Sequence, residues 1–176
     1  HGHIQIFDYG SNASQVTTKP ISIQQDFYPN FSAVPEVTHI QAVATKGGII
    51  RTENTYESIL AKGIGQDYNW SLIRDFITEG RTPNVSSEEL TDEILMSTYL
   101  ANRLHLKLGD LCQAIFLKDE AAQAPNQRNF KIVGLYNSGF QEFDASFIFT
   151  DIRHIQKINK WKADEIGNFE LFIKDF

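Results

Sequence analysis

Histidine and serine are the residue types here that could form a hydrolytic centre. Three of the five histidines lie away from the N-terminus, at His39, His105 and His154. A serine hydrolase needs a supported histidine beside its nucleophile, and these three lie on unrelated predicted elements with none placed near a serine. Residues 137–139 (NSG) also lack the GxSxG pattern of a strained nucleophile elbow. A hydrolase without such a serine–histidine centre would need a cluster of two carboxylates.

Carboxylates and metal ligands form no convergent group in the sequence. The acidic residues 88–89 and 119–120 are adjacent pairs, and adjacent side chains of an extended segment point to opposite sides. His1 and His3 could bind a metal ion, but a tag remnant or a plain strand residue is the simpler interpretation. We therefore predict no catalytic residue, no metal site and no enzymatic activity.

Two glycine-rich segments could in principle cradle a phosphate group. Residues 62–65 (KGIG) provide only GxG, and a polar loop follows instead of a helix. The pair Gly47-Gly48 lacks the GK[ST] ending of a phosphate-binding loop. We predict no nucleotide site and no cofactor.

The composition limits the class of protein. The chain has 176 residues, which fits one large or two small domains, and a net charge of -6 that argues against nucleic-acid partners. Its 13 Phe and 6 Tyr favour β-structure. The single cysteine, Cys112, excludes an internal disulfide and a cysteine-based zinc site, and its apolar neighbours predict a buried thiol. No apolar run reaches membrane-spanning length and no signal peptide is visible. Because the chain opens at His1 without methionine, we expect an excised fragment.

The most regular segment runs from residue 92 to residue 116. A short apolar run at residues 94–96 predicts a strand that ends at Ser97. Leu100, Ala101 and Leu104 then share one face of a predicted helix, residues 108–110 (LGD) predict a turn, and residues 111–117 predict another strand.

The rest of the chain reads as an alternation of strands and short helices. A short or kinked helix is predicted over residues 20–31, where Ile23, Phe27 and Phe31 are four apart. Residues 37–45 and 49–52 predict two strands joined by a hairpin turn at Gly47-Gly48. The remaining predictions are a strand at 56–64, a helix from Asn69 to Gly80, strands at 130–136 and 146–149, a helix capped by Asp151, and a strand at 169–173.

Residues 118–129 (KDEAAQAPNQRN) separate two predicted apolar strands. This polar segment predicts an exposed hairpin loop, longer than usual hairpin connections. It is the most function-like feature of the sequence, and the alternative interpretation is a solvated connection without a role of its own.

Three blocks of the sequence resemble the extracytoplasmic, MacB-like periplasmic core domain of ABC transporter permeases, in the LolC/LolE lipoprotein-releasing and FtsX-like branch. The first block is residues 2–6 (GHIQI). The second begins at residues 79–81 (EGR) and continues with residues 94–97, Leu100, Ala101, Leu104 and residues 108–110. The third is residues 130–136 (FKIVGLY) followed by 137–140 and 142–144. The order and spacing of the blocks carry the resemblance, which spans nearly the whole chain.

The resemblance implies an α+β fold with a porter-like βαβ subdomain and a β-rich, sabre-like subdomain. We expect residues 1–47 and 137–176 to form the discontinuous porter-like part, incomplete at its C-terminal end. Residues 48–136 would form the sabre-like part.

The resemblance further implies an inner-membrane transport protein whose domain here is periplasmic or otherwise extracytoplasmic. Such a domain relays ATP-driven motion to a substrate or carrier, as in lipoprotein release. Its implied partners are an ABC ATPase subunit reached through a membrane part, a second permease subunit in a dimer, and a periplasmic lipoprotein carrier or lipoprotein. The family's hook loop corresponds by position to residues 118–128, and the implied partner-binding residues are Lys118, Glu120, Pro125 and Arg128.

An alternative function from a different class is a periplasmic ligand-binding or sensory domain. That function requires a concave apolar pocket with convergent polar groups. A protruding hairpin at residues 118–129 and an exposed groove would instead favour a partner-docking module.

Overall fold

The computed structural model describes residues 3–6, 16, 19–86, 88–116 and 126–174. The strands are β1 His3–Ile6, β2 Ile21–Ser22, β3 Val37–Arg51, β4 Tyr56–Ile64, β5 Ile77–Gly80, β6 Glu93–Ser97, β7 Leu111–Phe116, β8 Asn126–Tyr136, β9 Phe147–Asp151, β10 Glu165–Ile166 and β11 Asn168–Ile173. The helices are α1 Ser71–Arg74, α2 Thr98–Leu104, α3 Gln141–Asp144 and α4 Ile152–Ile158. The fold is α+β, with one large mixed sheet and few helices.

Six strands of the large sheet form a closed ring. β3 pairs with β4, and β4 runs parallel to β9. β9 contacts β6, β6 runs parallel to β8, β8 pairs with β7, and β7 returns to β3. Closure leaves these strands with partners on both sides over much of their length, which protects their backbone groups from pairing with other chains.

Three further strands extend the ring. The first part of β3 pairs with β11, which in turn pairs with β1. β5 pairs with the end of β8. The small pair of β2 and β10 forms a separate sheet.

The core is divided between the two faces of the ring strands. Alternate residues of β3, β4, β6, β7 and β8 pack with Leu100, Ala101 and Leu104 of α2 in one buried cluster. Their opposite-facing neighbours, including Leu95 and Phe149, form a second cluster under Trp70 and Tyr68. This alternation follows from the period of two in a strand, and it buries both faces of the sheet. A third cluster joins α4, β11 and the first part of β3.

The strand–helix–turn–strand unit predicted at residues 92–116 is confirmed as β6, α2 and β7. The Ser97 hydroxyl accepts a hydrogen bond from the Leu100 amide at 3.0 Å, and so caps α2 as a serine at this position should. The predicted helix after Asp151 is confirmed as α4, with the Asp151 side chain accepting from the Arg153 amide at 3.0 Å. β4 has the predicted bounds.

The helix predicted over residues 20–31 is wrong. Ile21 pairs with Ile166 in β2 and β10, and the rest of the segment contains turns. Phe27 contacts Phe169 edge to face, with ring centroids 5.0 Å apart. The apolar residues of this segment are therefore spaced for packing of an irregular chain on β11. Their spacing resembles that of a helix, but no helix forms.

The hairpin predicted at Gly47-Gly48 is also wrong, because β3 runs without interruption from Val37 to Arg51. The chain reverses beyond Arg51, where the Thr52 amide donates to the Thr55 carbonyl at 2.8 Å. A Cβ on Gly48 would lie 2.9 Å from the Ile115 carbonyl oxygen. Gly48 therefore permits close approach of β7 to β3 and has no turn function.

The helix predicted from Asn69 to Gly80 is much shorter in the structure. The Asn69 side chain does accept from the Ser71 amide at 3.1 Å, but α1 ends at Arg74 and residues 77–80 form β5. Gly80 has a φ of 73°, and a Cβ there would lie 2.1 Å from the Val133 carbonyl oxygen. Gly80 thus permits a close contact between β5 and β8, whereas the sequence pattern predicted that this glycine ends a helix.

Strands from both predicted subdomains share one sheet. The predicted boundary at residues 47 and 48 falls within β3, and β4 of the central segment pairs with β9 of the flanking segment. The division into porter-like and sabre-like subdomains stays a prediction. Within the described part of the chain, no helix combines the length and apolar character needed to cross a membrane.

Candidate partner-docking surfaces

The hairpin of β7 and β8 is the base of the loop predicted to act as a hook. The two strands pair from Leu111 with Lys131 to Phe116 with Asn126. The loop itself, including Lys118, Glu120 and Pro125, lies outside the described residues. Arg128, the fourth predicted partner-binding residue, belongs to β8.

Arg128 binds the body of the domain through His154 of α4. Its Nε donates to His154 Nδ1 at 3.3 Å, and His154 Nε2 lies 2.8 Å from the carbonyl oxygen of Thr91. A carbonyl can only accept, so Nε2 carries the proton and Nδ1 is the acceptor. His154 is therefore a neutral link between the hairpin and the chain segment that precedes β6.

Burial lowers the pKa of His154, and this agrees with the neutral form. The imidazole packs edge to face on Phe130, with centroids 5.1 Å apart. The hydrogen bond to the Thr91 carbonyl and the charge of Asp92 raise the pKa of His154, whereas the charge of Arg128 lowers it, as burial does. Because the Nε group of Arg128 is engaged here, the arginine fastens the hairpin base to α4. Whether it also binds a partner stays a prediction.

Asp151 and Arg153 hold the segment before β6, residues 88–92, against the domain. Arg153 Nη1 and Nη2 donate to the carbonyl oxygens of Glu88 and Glu89 at 3.2 and 3.0 Å. The buried Asp151 carboxylate accepts from Arg153 Nη2 at 2.5 Å and from the Thr91 amide at 3.3 Å. The hydrogen bond to Asp151 is the main cause that raises the pKa of Arg153, which therefore stays charged.

Two clefts share Gly65, Gln66 and Val85 in their linings. Gln66 Nε2 also donates to the carbonyl oxygen of Ser86 at 3.1 Å. One cleft, of about 500 Å³, is lined by Trp70, Arg81 and Glu93 among other residues. The Arg81 guanidinium contacts both oxygens of Glu93 at 2.7 and 2.6 Å, and this hydrogen bonding lowers the pKa of Glu93 to about 2. The other cleft, of about 630 Å³, lies beside the segment 65–67 and α4.

Large apolar side chains are exposed near the start of β5. Leu72, Phe76 and Phe140 are 53%, 41% and 72% exposed. The amide of Asn137 donates to the Phe76 carbonyl at 2.8 Å, which brings the loop that carries Phe140 next to β5. Exposed aromatic and aliphatic side chains of this kind are available for contact with a partner.

The candidate chemical groups of the sequence are not brought together among the described residues. His39 Nε2 lies 2.7 Å from the backbone oxygen of Asp67, His154 is engaged as above, and His105 ends α2 in a left-handed conformation. No group of three His, Cys, Asp or Glu side chains in the described ranges could hold a metal ion. Cys112 is buried as predicted, and burial raises the pKa of its thiol to about 12.

Sequence reasoning gave no structural role to Asp67, Gln156 or Arg153. Asp67 accepts hydrogen bonds from the Tyr28 hydroxyl and the Ala42 amide at 2.6 and 2.7 Å. Both partners are distant along the chain, so no local sequence pattern predicts these two hydrogen bonds. The only available signal for Arg153 was its position two residues after the predicted cap, Asp151.

Comparisons with known proteins give matches in fold but not in sequence. No protein-family model matches the chain, and no curated protein matches its sequence. The extracellular domain of the noncanonic ABC-type transporter YknZ from Gram-positive bacteria superposes with a TM-score of 0.56 at 17% identity, over 81% of this chain and 68% of that one. The periplasmic region of MacB from Actinobacillus actinomycetemcomitans gives a TM-score of 0.53 at 15% identity, over 82% of this chain and 61% of that one.

This chain has the fold of extracytoplasmic domains of ABC-type transporters. It spans about two thirds of the first neighbour and 61% of the second. The absence of enzymatic activity stays a prediction. The narrower assignment to the LolC/LolE and FtsX-like branch stays a prediction.

Proposed function

We propose that this chain is the extracytoplasmic domain of an ABC transporter permease and that it relays ATP-driven motion to a partner outside the inner membrane. The fold shared with the YknZ and MacB domains carries this proposal. The described surface supports it through side chains suited to binding, including the exposed Phe140 and the anchored hairpin of β7 and β8.

The partners in this proposal are an ABC ATPase subunit, a second permease subunit, and a lipoprotein or its periplasmic carrier. The contacts of Arg128 and His154 give a physical route by which a load on the hairpin would reach α4 and the segment before β6. We propose that the loop at residues 118–128 engages the carrier and that the process served is lipoprotein release.

Cysteine labelling in intact cells tests the location. Phe140→Cys in the full-length parent protein places a thiol at a position that is 72% exposed, and buried Cys112 provides the internal control. The background is a parent protein whose cysteines outside residues 1–176 are replaced by serine. A membrane-impermeant maleimide should label Phe140→Cys in this background before lysis and leave the background itself unlabelled. Labelling that requires rupture of the inner membrane would refute an extracytoplasmic domain.

A second experiment tests the hook separately. Alanine at Lys118, Glu120 and Pro125 together should reduce release of lipoprotein from membrane vesicles that contain the whole transporter. Alanine at Glu53 and Asn54, in the turn between β3 and β4, is the matched control and should leave release unchanged. Equal release by both variants would refute a role of this loop in lipoprotein release. It would not contradict the proposed relay outside the membrane.

A further inference from the structure

The cleft of about 630 Å³ combines apolar walls with a few polar groups. We call it the Asp67 cleft. Its volume lies within the usual range for small-molecule sites, about 300–1,000 Å³. The apolar lining consists of Ile23, Ala42, Val85, Ile152, Ala163 and Ile166.

The Asp67 cleft contains an ion pair between Asp151 and Arg153. Asp151 accepts from the Arg153 amide, from its guanidinium and from the Thr91 amide. Arg153 also donates to the Glu88 and Glu89 carbonyls. Since their formal charges cancel, the remaining formal charge among the lining residues is the negative charge of Asp67.

Two acceptors of the lining are left without donors. One Asp67 oxygen, Oδ2, accepts from Tyr28 and Ala42, while Oδ1 has no donor among the described residues. The Gln156 amide nitrogen donates to the carbonyls of Ala163 and Glu165 at 3.1 and 2.9 Å, which fixes the orientation of the amide. Its Oε1 then has no donor in the part of the chain that the structure describes.

A ligand that complements these groups must carry N–H donors and a positive charge on an apolar body. Both residues line the cleft, and neither oxygen has a protein donor within the described ranges, so N–H groups of a ligand can donate to them. Hydrogen bonds from a charged donor to a carboxylate are the stronger ones. We propose that the Asp67 cleft binds an aliphatic ammonium group, either of a free alkylamine or of a lysine side chain in a peptide. This site is independent of the proposed relay, since its evidence comes from the cleft alone.

Titration of the 176-residue chain tests the site. The probes are n-pentylammonium, the Nα-acetyl N-methylamide of lysine, and valerate as the anion of matched length, with backbone amide shifts as the readout. We expect saturable shifts around Asp67 and Gln156 with the ammonium probes and none with valerate. Binding of n-pentylammonium alone assigns the site to free amines, and binding of both probes includes lysine side chains of peptides.

Two variants separate binding from folding. Ala163→Trp fills the cleft from an exposed position without removing a hydrogen bond and should abolish the shifts, while Ala33→Trp, also at an exposed alanine, should bind as wild type does. Asp67→Asn should weaken ammonium binding about tenfold or more, because charge-assisted hydrogen bonds are the stronger ones. The proposal is overturned if neither ammonium probe gives saturable shifts. It is also overturned if valerate binds as n-pentylammonium does, or if Ala163→Trp binds n-pentylammonium as wild type does.

Discussion

Alanine at Gly48 should destabilise this domain, whereas alanine at the neighbouring Gly47 should not. Both glycines lie within β3, where successive side chains point to opposite faces. A Cβ on Gly48 would lie 2.9 Å from both the Ile115 carbonyl oxygen and Cδ1 of Phe116. A Cβ on Gly47 would have no atom within 4 Å.

The magnitudes follow from these contacts. Ile115 contributes a backbone atom of the β7 ladder and the Phe116 ring is buried, so neither neighbour can yield cheaply. Overpacking of this kind costs about 1–3 kcal/mol of unfolding free energy. Gly47→Ala restricts only the unfolded chain and should stabilise by about 0.4–1 kcal/mol. The same restriction applies to Gly48→Ala and cancels between the two variants, which should therefore differ by the overpacking cost, roughly 1–3 kcal/mol.

Urea unfolding followed by the fluorescence of Trp70 and Trp161 measures this difference. At a slope of about 2 kcal/mol/M the midpoints should be separated by roughly 0.5–1.5 M, and the slope itself should not change. In thermal unfolding, each kcal/mol corresponds to about 2–4 °C for a chain of this size. Equal midpoints for the two variants would refute the close approach of β7 to β3.

Three further predictions concern buried or paired groups. Cys112, whose thiol pKa is raised to about 12 by burial, should not react with a maleimide at pH 8 until the chain is unfolded in guanidinium; rapid labelling of folded protein would contradict its burial. Glu93→Gln should lower the urea midpoint at pH 7 by removing the pair with Arg81. Since the folded pKa of Glu93 is depressed to about 2 from an ordinary value of 4.5, this difference should shrink as the pH falls from about 4.5 to 2, and a difference constant with pH would argue against the pair. Ser97→Ala should cost about 2–4 kcal/mol, because it removes the cap on the Leu100 amide and leaves a buried carbonyl without its donor; an unchanged urea midpoint would show that the cap is not formed.

Local sequence signals predicted the elements whose determinants are local. The helix α2 has its cap at Ser97 and its apolar residues at helical spacing, so the pattern and the structure agree. The same holds for α4 after Asp151. Capping and periodicity act over a few residues, and a sequence displays them directly.

Features that depend on distant contacts could not be predicted. Gly48 looks like a turn residue until β7 is known to lie beside it. Phe27 and Phe31 share a helical spacing, yet the position of Phe27 is set by Phe169 of β11. The Asp67 cleft likewise depends on Tyr28, Ala42 and Gln156, which the chain brings together only after folding.

The central claim of the proposed function is that this domain moves when an ABC transporter that contains it uses ATP. Spin labels at Phe140→Cys and on the second permease subunit of the reconstituted transporter allow their distance to be measured by pulsed electron resonance. Cys112 is buried and should remain unlabelled. The account predicts distance distributions that differ between the nucleotide-free and the ATP-vanadate-trapped states, and superimposable distributions would contradict it.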